Sequence, residues 1–308
     1  MGYVYKDELL GWWYGILPRG CELCMRGLKV VVFVTGVCGV NCFYCPISLE
    51  RRRVDAFYVD EEKVEDLSDI LDEIAFVRAR GISITGGEPL HVVDRVVDII
   101  ELVKSVYGSK FHVHLYTTGL GASPTVFKTL ERAGLDELRF HVVDEWVWKY
   151  VEMAVHNLSI DVGIEIPALP NIDAVLRVIE RAARLGVKFV NLNELEVSET
   201  NVESLLLRGL KVSSDGRTVV GSADVAKRVI EFAAERNLKV SVHFCPAVFK
   251  DRVQHRYRLL RKAITCAEPG VEVEDDGLLM REGKEFIPLF NNCASTIKSR
   301  GDRSGGED

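Results

Sequence analysis

No stretch of this 308-residue chain stays apolar for long. The longest runs, residues 30–34 and 96–103, are short or broken by charge, far below the roughly 18 residues that a membrane-spanning helix needs. No membrane role is expected. The amino terminus carries Lys6, Asp7 and Glu8 and lacks an apolar signal region, which points to a cytoplasmic protein. A basic excess is missing too. Lys and Arg number 39 against 46 Asp and Glu, a net charge of −7, whereas proteins that grip a long phosphate backbone are usually basic. Nothing demands a nucleic-acid partner, although a local basic patch would still supply one. Internal repeats are absent as well. What is present, 47% hydrophobic and 28% charged residues, excludes a disordered chain and suffices to bury a full core.

Eight cysteines without an export signal point away from a disulfide framework and towards metal or redox chemistry. Five fall within 25 residues, as Cys21-Glu-Leu-Cys24 and then Cys38-Gly-Val-Asn-Cys42-Phe-Tyr-Cys45. A C-x3-C-x2-C run closes three thiolates around one small object. Three is an odd number for structural zinc, which takes four ligands. An iron–sulfur cubane held by three thiolates has one iron free to bind something else. Buried free thiols are the bland alternative, but Gly36, Gly39 and Asn41 make this a loop rather than a core strand.

The run follows a strand-like stretch, residues 29–35, and about 40 residues later a second one, 81–85, leads into Gly86-Gly87-Glu88-Pro89. The cysteine triplet with Tyr44 before its last member, then a strand and Gly-Gly-Glu-Pro, resembles the radical S-adenosylmethionine (SAM) superfamily. Within it, the Arg-Gly-Cys-x-x-Cys pair before the cluster loop resembles an archaeal-type branch related to pyruvate formate-lyase-activating enzyme. The resemblance implies an enzyme in which Cys38, Cys42 and Cys45 hold a [4Fe-4S] cluster. The fourth iron would be chelated by the amino and carboxylate groups of SAM, and Gly86, Gly87, Glu88 and Pro89 would meet the SAM amino group. It also implies a low-potential electron donor of ferredoxin or flavodoxin type. Two glycines let a backbone approach a ligand closely.

Strands read at 29–35, 81–85, 111–117, 136–142, 160–166, 188–194 and 239–244, alternating with amphipathic helices at 61–80, 92–106, 124–133, 172–185 and 223–236. This is an α/β pattern. With the resemblance it implies a partial (β/α)6, TIM-like barrel over residues 29–245, carrying an insertion at 198–221. An extension at 1–28 holds the C-x2-C pair, another at 246–298 holds a basic helix and a hairpin, and 299–308 reads as a disordered tail.

Alternate residues of these strands are apolar, for example Val113 and Leu115, Leu138 and Phe140, Val162, Ile164 and Ile166. The opposite sets are polar: His112, His114 and Tyr116; Arg139 and His141; Asp161 and Glu165; Asn191 and Asn193; Ser241, His243 and Cys245. A packed barrel fills its lumen with branched apolar residues, so polar lumen faces predict a ligand-lined cavity. Mutual satisfaction in a polar core is the alternative. Glu165 and Asn193 are candidate SAM contacts, with Arg139 and His141 next. Thr117 and Thr118 end the third strand where the family often touches SAM, while the family's fifth-strand glycine pattern is met only loosely by residues 163–170.

Cys21 and Cys24 form a half-site for zinc or a second [4Fe-4S] cluster. Cys245 is the natural third ligand. Cys266, His243, His255 or no residue is the fourth, and Cys293 reads as structural. The basic segment 250–262 is a solvated helix face or a clamp for an anionic substrate, RNA included. Residues 213–216 suggest one hairpin turn and 271–280 a hairpin. The leading reading is a radical SAM enzyme acting on a small molecule, a peptide or RNA. Its alternatives are activation of a glycyl-radical enzyme, modification of tRNA, and a non-catalytic metal-binding protein.

Overall fold

The computed structural model describes residues 2–281, 285–287, 289 and 293, so the tail 299–308 lies outside the described residues. A hairpin of β1 (Val4–Asp7) and β2 (Gly11–Tyr14) leads into a short helix, α1 (Arg19–Met25), and the first barrel strand, β3 (Lys29–Phe33). The cysteine-rich loop follows, ending in a small hairpin of β4 (Tyr58–Val59) and β5 (Glu62–Lys63). Then α2 (Ser68–Val77), β6 (Gly81–Thr85), α3 (Val93–Tyr107), β7 (His112–Thr117), α4 (Pro124–Ala133) and β8 (Glu137–Phe140) alternate. They continue as α5 (Trp148–Asn157), β9 (Asp161–Pro167), α6 (Ile172–Leu185) and β10 (Phe189–Asn193). The segment after β10 contributes α7 (Val202–Leu207), and α8 (Ser222–Glu235) leads to β11 (Ser241–Cys245). Beyond lie α9 (Ala247–Phe249), a π-helical turn (Lys250–His255), α10 (Arg256–Cys266) and a small sheet of β12 (Val271–Val273), β13 (Leu279–Arg281) and β14 (Glu285–Ile287).

The order β3-β6-β7-β8-β9-β10-β11 is parallel throughout, with β2 antiparallel on the β11 edge and β4 antiparallel on the β3 edge. Six β/α units and a seventh strand thus form the partial barrel of the TIM type. The outward set packs on the helices, with Val113, Leu115, Leu138, Phe140, Ile164, Leu192 and Val242 all fully buried. Each such side chain contributes about 1.5–3 kcal/mol relative to exposure. Two helices match the sequence reading residue for residue because their ends are written locally. Ser123 accepts from Val126 N at 3.2 Å ahead of Pro124, and Gly134 takes φ +112° after α4. Asn171 and Gly186 do the same for α6. Among the described residues no helix is long and apolar enough to cross a membrane.

Four expectations are corrected. The helix read at 61–80 begins only at Ser68, because Asp60 turns the chain at φ +51° and accepts from Val31 N at 2.8 Å, committing 58–63 to a hairpin. The basic helix is a solvated face only in part, with Arg252 and Arg256 exposed. Arg258 pairs with Asp60 at 2.9 Å and Lys262 with Glu73 at 2.6 Å, both largely buried against β4 and α2. Cys266 is joined to Cys293 by a disulfide, so the chain does hold one, and Cys266 is no ligand of a second site. Finally, the lumen is not wholly open. Helix α1 sits in it, against the first residues of β3, β6 and β7. A Cβ on Gly20 would lie 2.5 Å from His114 Nδ1, 2.6 Å from Arg139 Nη2 and 2.8 Å from Lys29 Nζ.

Candidate active site

At the carboxyl ends of the strands the barrel opens into a cavity of about 440 Å³. All six free cysteines line it: Cys38, Cys42 and Cys45 from the loop after β3, Cys21 and Cys24 from α1, and Cys245 at the end of β11. Positions 21 and 24 are three apart on one helix and therefore share a face.

The loop triplet is shaped by close packing. Gly36 N donates to Val54 O at 2.8 Å, and a Cβ on Gly36 would fall 1.5 Å from Arg51 O. Cβ atoms on Gly86 and Gly87 would lie 2.4 Å from Thr35 O and 2.3 Å from Val37 O. The two glycines thus let the cysteine loop lie against the end of β6. Gly87 N and Glu88 N are bonded to Thr35 O and Val37 O, so what Gly87 can offer a ligand is its carbonyl oxygen, which suits a donor such as an ammonium group. Gly86, Gly87 and Pro89 line the cavity.

Glu88 does not line it. Its buried carboxylate accepts from Thr117 Oγ1 and Thr118 Oγ1 at 2.5 Å, Thr118 N at 2.7 Å and Leu90 N at 3.1 Å. Read in the sequence as a cofactor contact, Glu88 instead braces β6 to β7 and fixes Thr117 and Thr118, which do line the cavity.

The segment 198–221 has a role that sequence reasoning missed. Thr200 Oγ1 donates to Cys45 O at 3.1 Å, Asn201 Nδ2 to Tyr44 O at 3.0 Å, and Ser204 Oγ to Phe43 O. Three side chains of 198–221 thus hold the carbonyls of the cysteine loop. Arg52 and Arg53 also reach the cavity and donate to Asn41 Oδ1 at 3.4 and 3.0 Å.

The wall is one connected polar network. Register places Glu165, Asn191 and His243 at one level of β9, β10 and β11, and Asn193 beside Cys245 at the next. Arg139 donates to Glu165 at 2.6 Å and to Glu137, and Asn191 and Asn193 donate to Glu165 at 3.0 and 2.9 Å. Burial pushes the Glu165 carboxyl up, but Arg139 and the two amides outweigh it and hold the pKa below its ordinary value. Burial opposes ionisation of Glu137 too, yet Arg139, His112 and Lys29 hold it at about 2. Both alternatives for the polar lumen are therefore realised at different depths. Close to α1, Lys29 is bonded to His114 and to Gly20 O and Glu137 is paired with Arg139 and His112, while Glu165, Asn193, His141 and Cys245 border the cavity. Gly163 clears the Phe189 ring, 2.1 Å from where its Cβ would be, so this glycine has a packing reason.

Burial raises the thiols of Cys38, of Cys42 (to about 11) and of Cys21 (to about 12), so metal binding there must displace protons. Among the described residues no three Cys, His, Asp or Glu converge to hold a single ion. Three free thiols on one loop that do not converge fit a cluster, in which each iron takes its own thiolate, rather than one tetrahedral ion.

The family model described as the radical SAM superfamily matches residues 32–144. A protein of Methanocaldococcus jannaschii, provisionally named a glycyl-radical enzyme activating enzyme, is 35% identical over 288 residues, covering 90% of this chain and 74% of its own. PqqA peptide cyclase of Ruegeria pomeroyi is 22% identical over 227 residues, covering 68% of this chain and 56% of its own. Among solved structures, coproporphyrinogen III oxidase of Escherichia coli, a radical SAM enzyme, aligns at 11% identity and TM-score 0.44 over 71% of this chain and 56% of its own, too loosely to carry an argument. On the family match and the long M. jannaschii alignment, this chain belongs to the radical SAM superfamily, whose enzymes use a [4Fe-4S] cluster and SAM.

Proposed function

We propose that the chain is a radical SAM enzyme whose substrate is a small molecule or peptide admitted to the 440 Å³ cavity. Cys38, Cys42 and Cys45 hold the [4Fe-4S] cluster. The carbonyl of Gly87 receives the SAM amino group, and Thr117, Thr118, Glu165 and Asn193 border the rest of its seat. When bound, cluster and SAM supply one-electron cleavage of the sulfonium to methionine and a 5′-deoxyadenosyl radical that abstracts hydrogen from substrate. The chain's own part is positional. Thr200, Asn201 and Ser204 fix the loop, Glu88 fixes the β7 end, Arg139 keeps Glu165 ionised, and α1 closes the lumen against water. The observation that carries this reading is the convergence of the C-x3-C-x2-C loop, the Gly-Gly-Glu-Pro turn and the strand-end polar residues on one cavity.

The electron donor is of ferredoxin or flavodoxin type. A second cavity borders Cys42 and carries both Arg177, Arg184 and Arg208 and Asp144, Glu145 and Glu180 on its rim, a mixed-charge margin at which a protein donor would dock close to the cluster loop. Modification of tRNA loses support, because Arg258 and Lys262 are committed to internal ion pairs and leave Arg252 and Arg256 as the exposed arginines of this segment. Activation of a glycyl-radical enzyme is the second reading, favoured by the name of the M. jannaschii relative.

The test is anaerobic turnover of SAM with a strong reductant. Wild type should release 5′-deoxyadenosine and Cys42→Ala should release none. Persistence of that product in the variant would overturn the assignment.

A further inference from the structure

Three free cysteines remain after the loop triplet is assigned, and they too meet at the cavity. Cys21 and Cys24 share a face of α1, and Cys245 ends β11. Donors already point at the sulfurs: Asn191 Nδ2 lies 3.3 Å and Arg139 Nη2 3.6 Å from Cys21 Sγ, and Gln254 Nε2 lies 3.7 Å from Cys24 Sγ. Such N–H···S contacts stabilise sulfur that carries negative charge. The Lys250 ammonium, bonded to Glu196, adds positive charge near Cys245.

The second, independent observation is His243. It is 3% exposed and lines the same cavity. Neither ring nitrogen has a hydrogen-bond partner of normal geometry, Leu10's backbone making only a loose approach. An unsatisfied buried polar group is costly, and a bond from a ring nitrogen to a metal would remove that cost. His243 and Cys245 are two apart on a strand, so they face the same side about 7 Å apart. The other candidates for a fourth ligand are engaged elsewhere. Cys266 is in the disulfide, and His255 contacts Arg258 and Glu61.

Sulfur donors select zinc or iron–sulfur. A tetrahedral zinc with bonds of about 2.3 Å needs its thiolates within about 4 Å of one another, and no three ligating side chains converge in that way among the described residues. A cluster spreads its ligands over several irons.

We propose that Cys21, Cys24, Cys245 and His243 hold a second iron–sulfur cluster, a [4Fe-4S] centre set in the barrel between α1 and β11. This inference is separate from the assignment of Cys38, Cys42 and Cys45 and can fail without it.

The experiment is iron, sulfide and zinc analysis of the full chain after anaerobic reconstitution. Wild type should bind about eight irons, and Cys38/Cys42/Cys45→Ala and Cys21/Cys24/Cys245→Ala about four each. In the Cys38/Cys42/Cys45→Ala background, pulsed electron paramagnetic resonance should show nitrogen coupling to the reduced cluster, lost in His243→Ala. About four irons in wild type and none in a folded Cys38/Cys42/Cys45→Ala variant would overturn the second cluster and leave the first intact. About four irons in wild type that all survive in that variant would instead overturn the first. Zinc in place of iron at the second site overturns the cluster, and coupling that is absent, or unchanged in His243→Ala, overturns the histidine ligand. If the Cys38/Cys42/Cys45→Ala variant does not fold, about eight irons in wild type carry the second cluster, and about four that persist in folded Cys21/Cys24/Cys245→Ala overturn it.

Discussion

Tyr44 Oη and His141 Nε2 lie 3.2 Å apart, and this bond ties the cysteine loop to the barrel wall beyond β8. Burial lowers the His141 pKa, so the ring is neutral. Its Nδ1–H donates to Glu165 O at 2.9 Å, which leaves Nε2 to accept from the tyrosine hydroxyl. Tyr44→Phe removes this bond, worth about 1 kcal/mol, together with the hydroxyl's contact to the Cys42 thiol. The reconstituted variant should lose iron to a chelator several-fold faster than wild type, with an unchanged circular dichroism spectrum. An equal rate would mean that Thr200, Asn201 and Ser204 alone hold the loop.

Gly20 has no room for a methyl group among His114, Arg139 and Lys29. Gly20→Ala should destabilise the fold by about 1–3 kcal/mol, the cost of overpacking a filled core, read from the urea midpoint. An unaltered midpoint would show that α1 can lift away from the lumen without loss.

Glu137 gives the stability a defined acid dependence. Its folded pKa of about 2 lies below the ordinary 4.5. The unfolded chain therefore binds the proton first, and the stabilisation is present above 4.5 and lost as pH falls towards 2. Glu137→Gln should flatten urea stability across that window and lower it at neutral pH by about 1.5–3 kcal/mol, because Arg139 loses one charged partner and keeps Glu165.

Lys262 and Glu73 join α10 to α2 with both side chains largely buried. Lys262→Ala should cost about 3–5 kcal/mol, whereas replacing both partners with apolar residues of similar size should recover most of the loss. Denaturant midpoints of the single and double variants check this.

The disulfide between Cys266 and Cys293 spans 27 residues of chain. Closing a loop of that size stabilises by about 3 kcal/mol. Wild type should melt lower in reductant than without it, and Cys266→Ser/Cys293→Ser should melt the same in both.

The sequence displayed whatever is encoded by neighbours along the chain. The alternation of Val113 and Leu115 with His112 and His114 shows which face of β7 turns inward, and Ser123 with Gly134 brackets α4 to the residue. Long-range pairing left no such trace. The charges of Arg258 and Lys262 look like a solvated face until Asp60 and Glu73, nearly 200 residues earlier, are brought beneath them. Likewise the seven residues of α1 are too few to show a period, so nothing local announced a helix inside the barrel. Helix α5 was legible and overlooked, since Trp148, Val151 and Ala154 recur at helical spacing and are buried. At the site, the cysteine spacing identified the loop. That Glu88 would turn to Thr117 and Thr118 rather than to a ligand depends on β7, which the motif does not contain.

Helix α1 fills the lumen beside the start of β3, β6 and β7, and a chamber filled on that side imposes an order on traffic. Whatever sits deepest must arrive first and depart last, since anything nearer the strand-end mouth blocks its way. Occupancy of the outer position should therefore slow exchange of the inner one even if the two never touch.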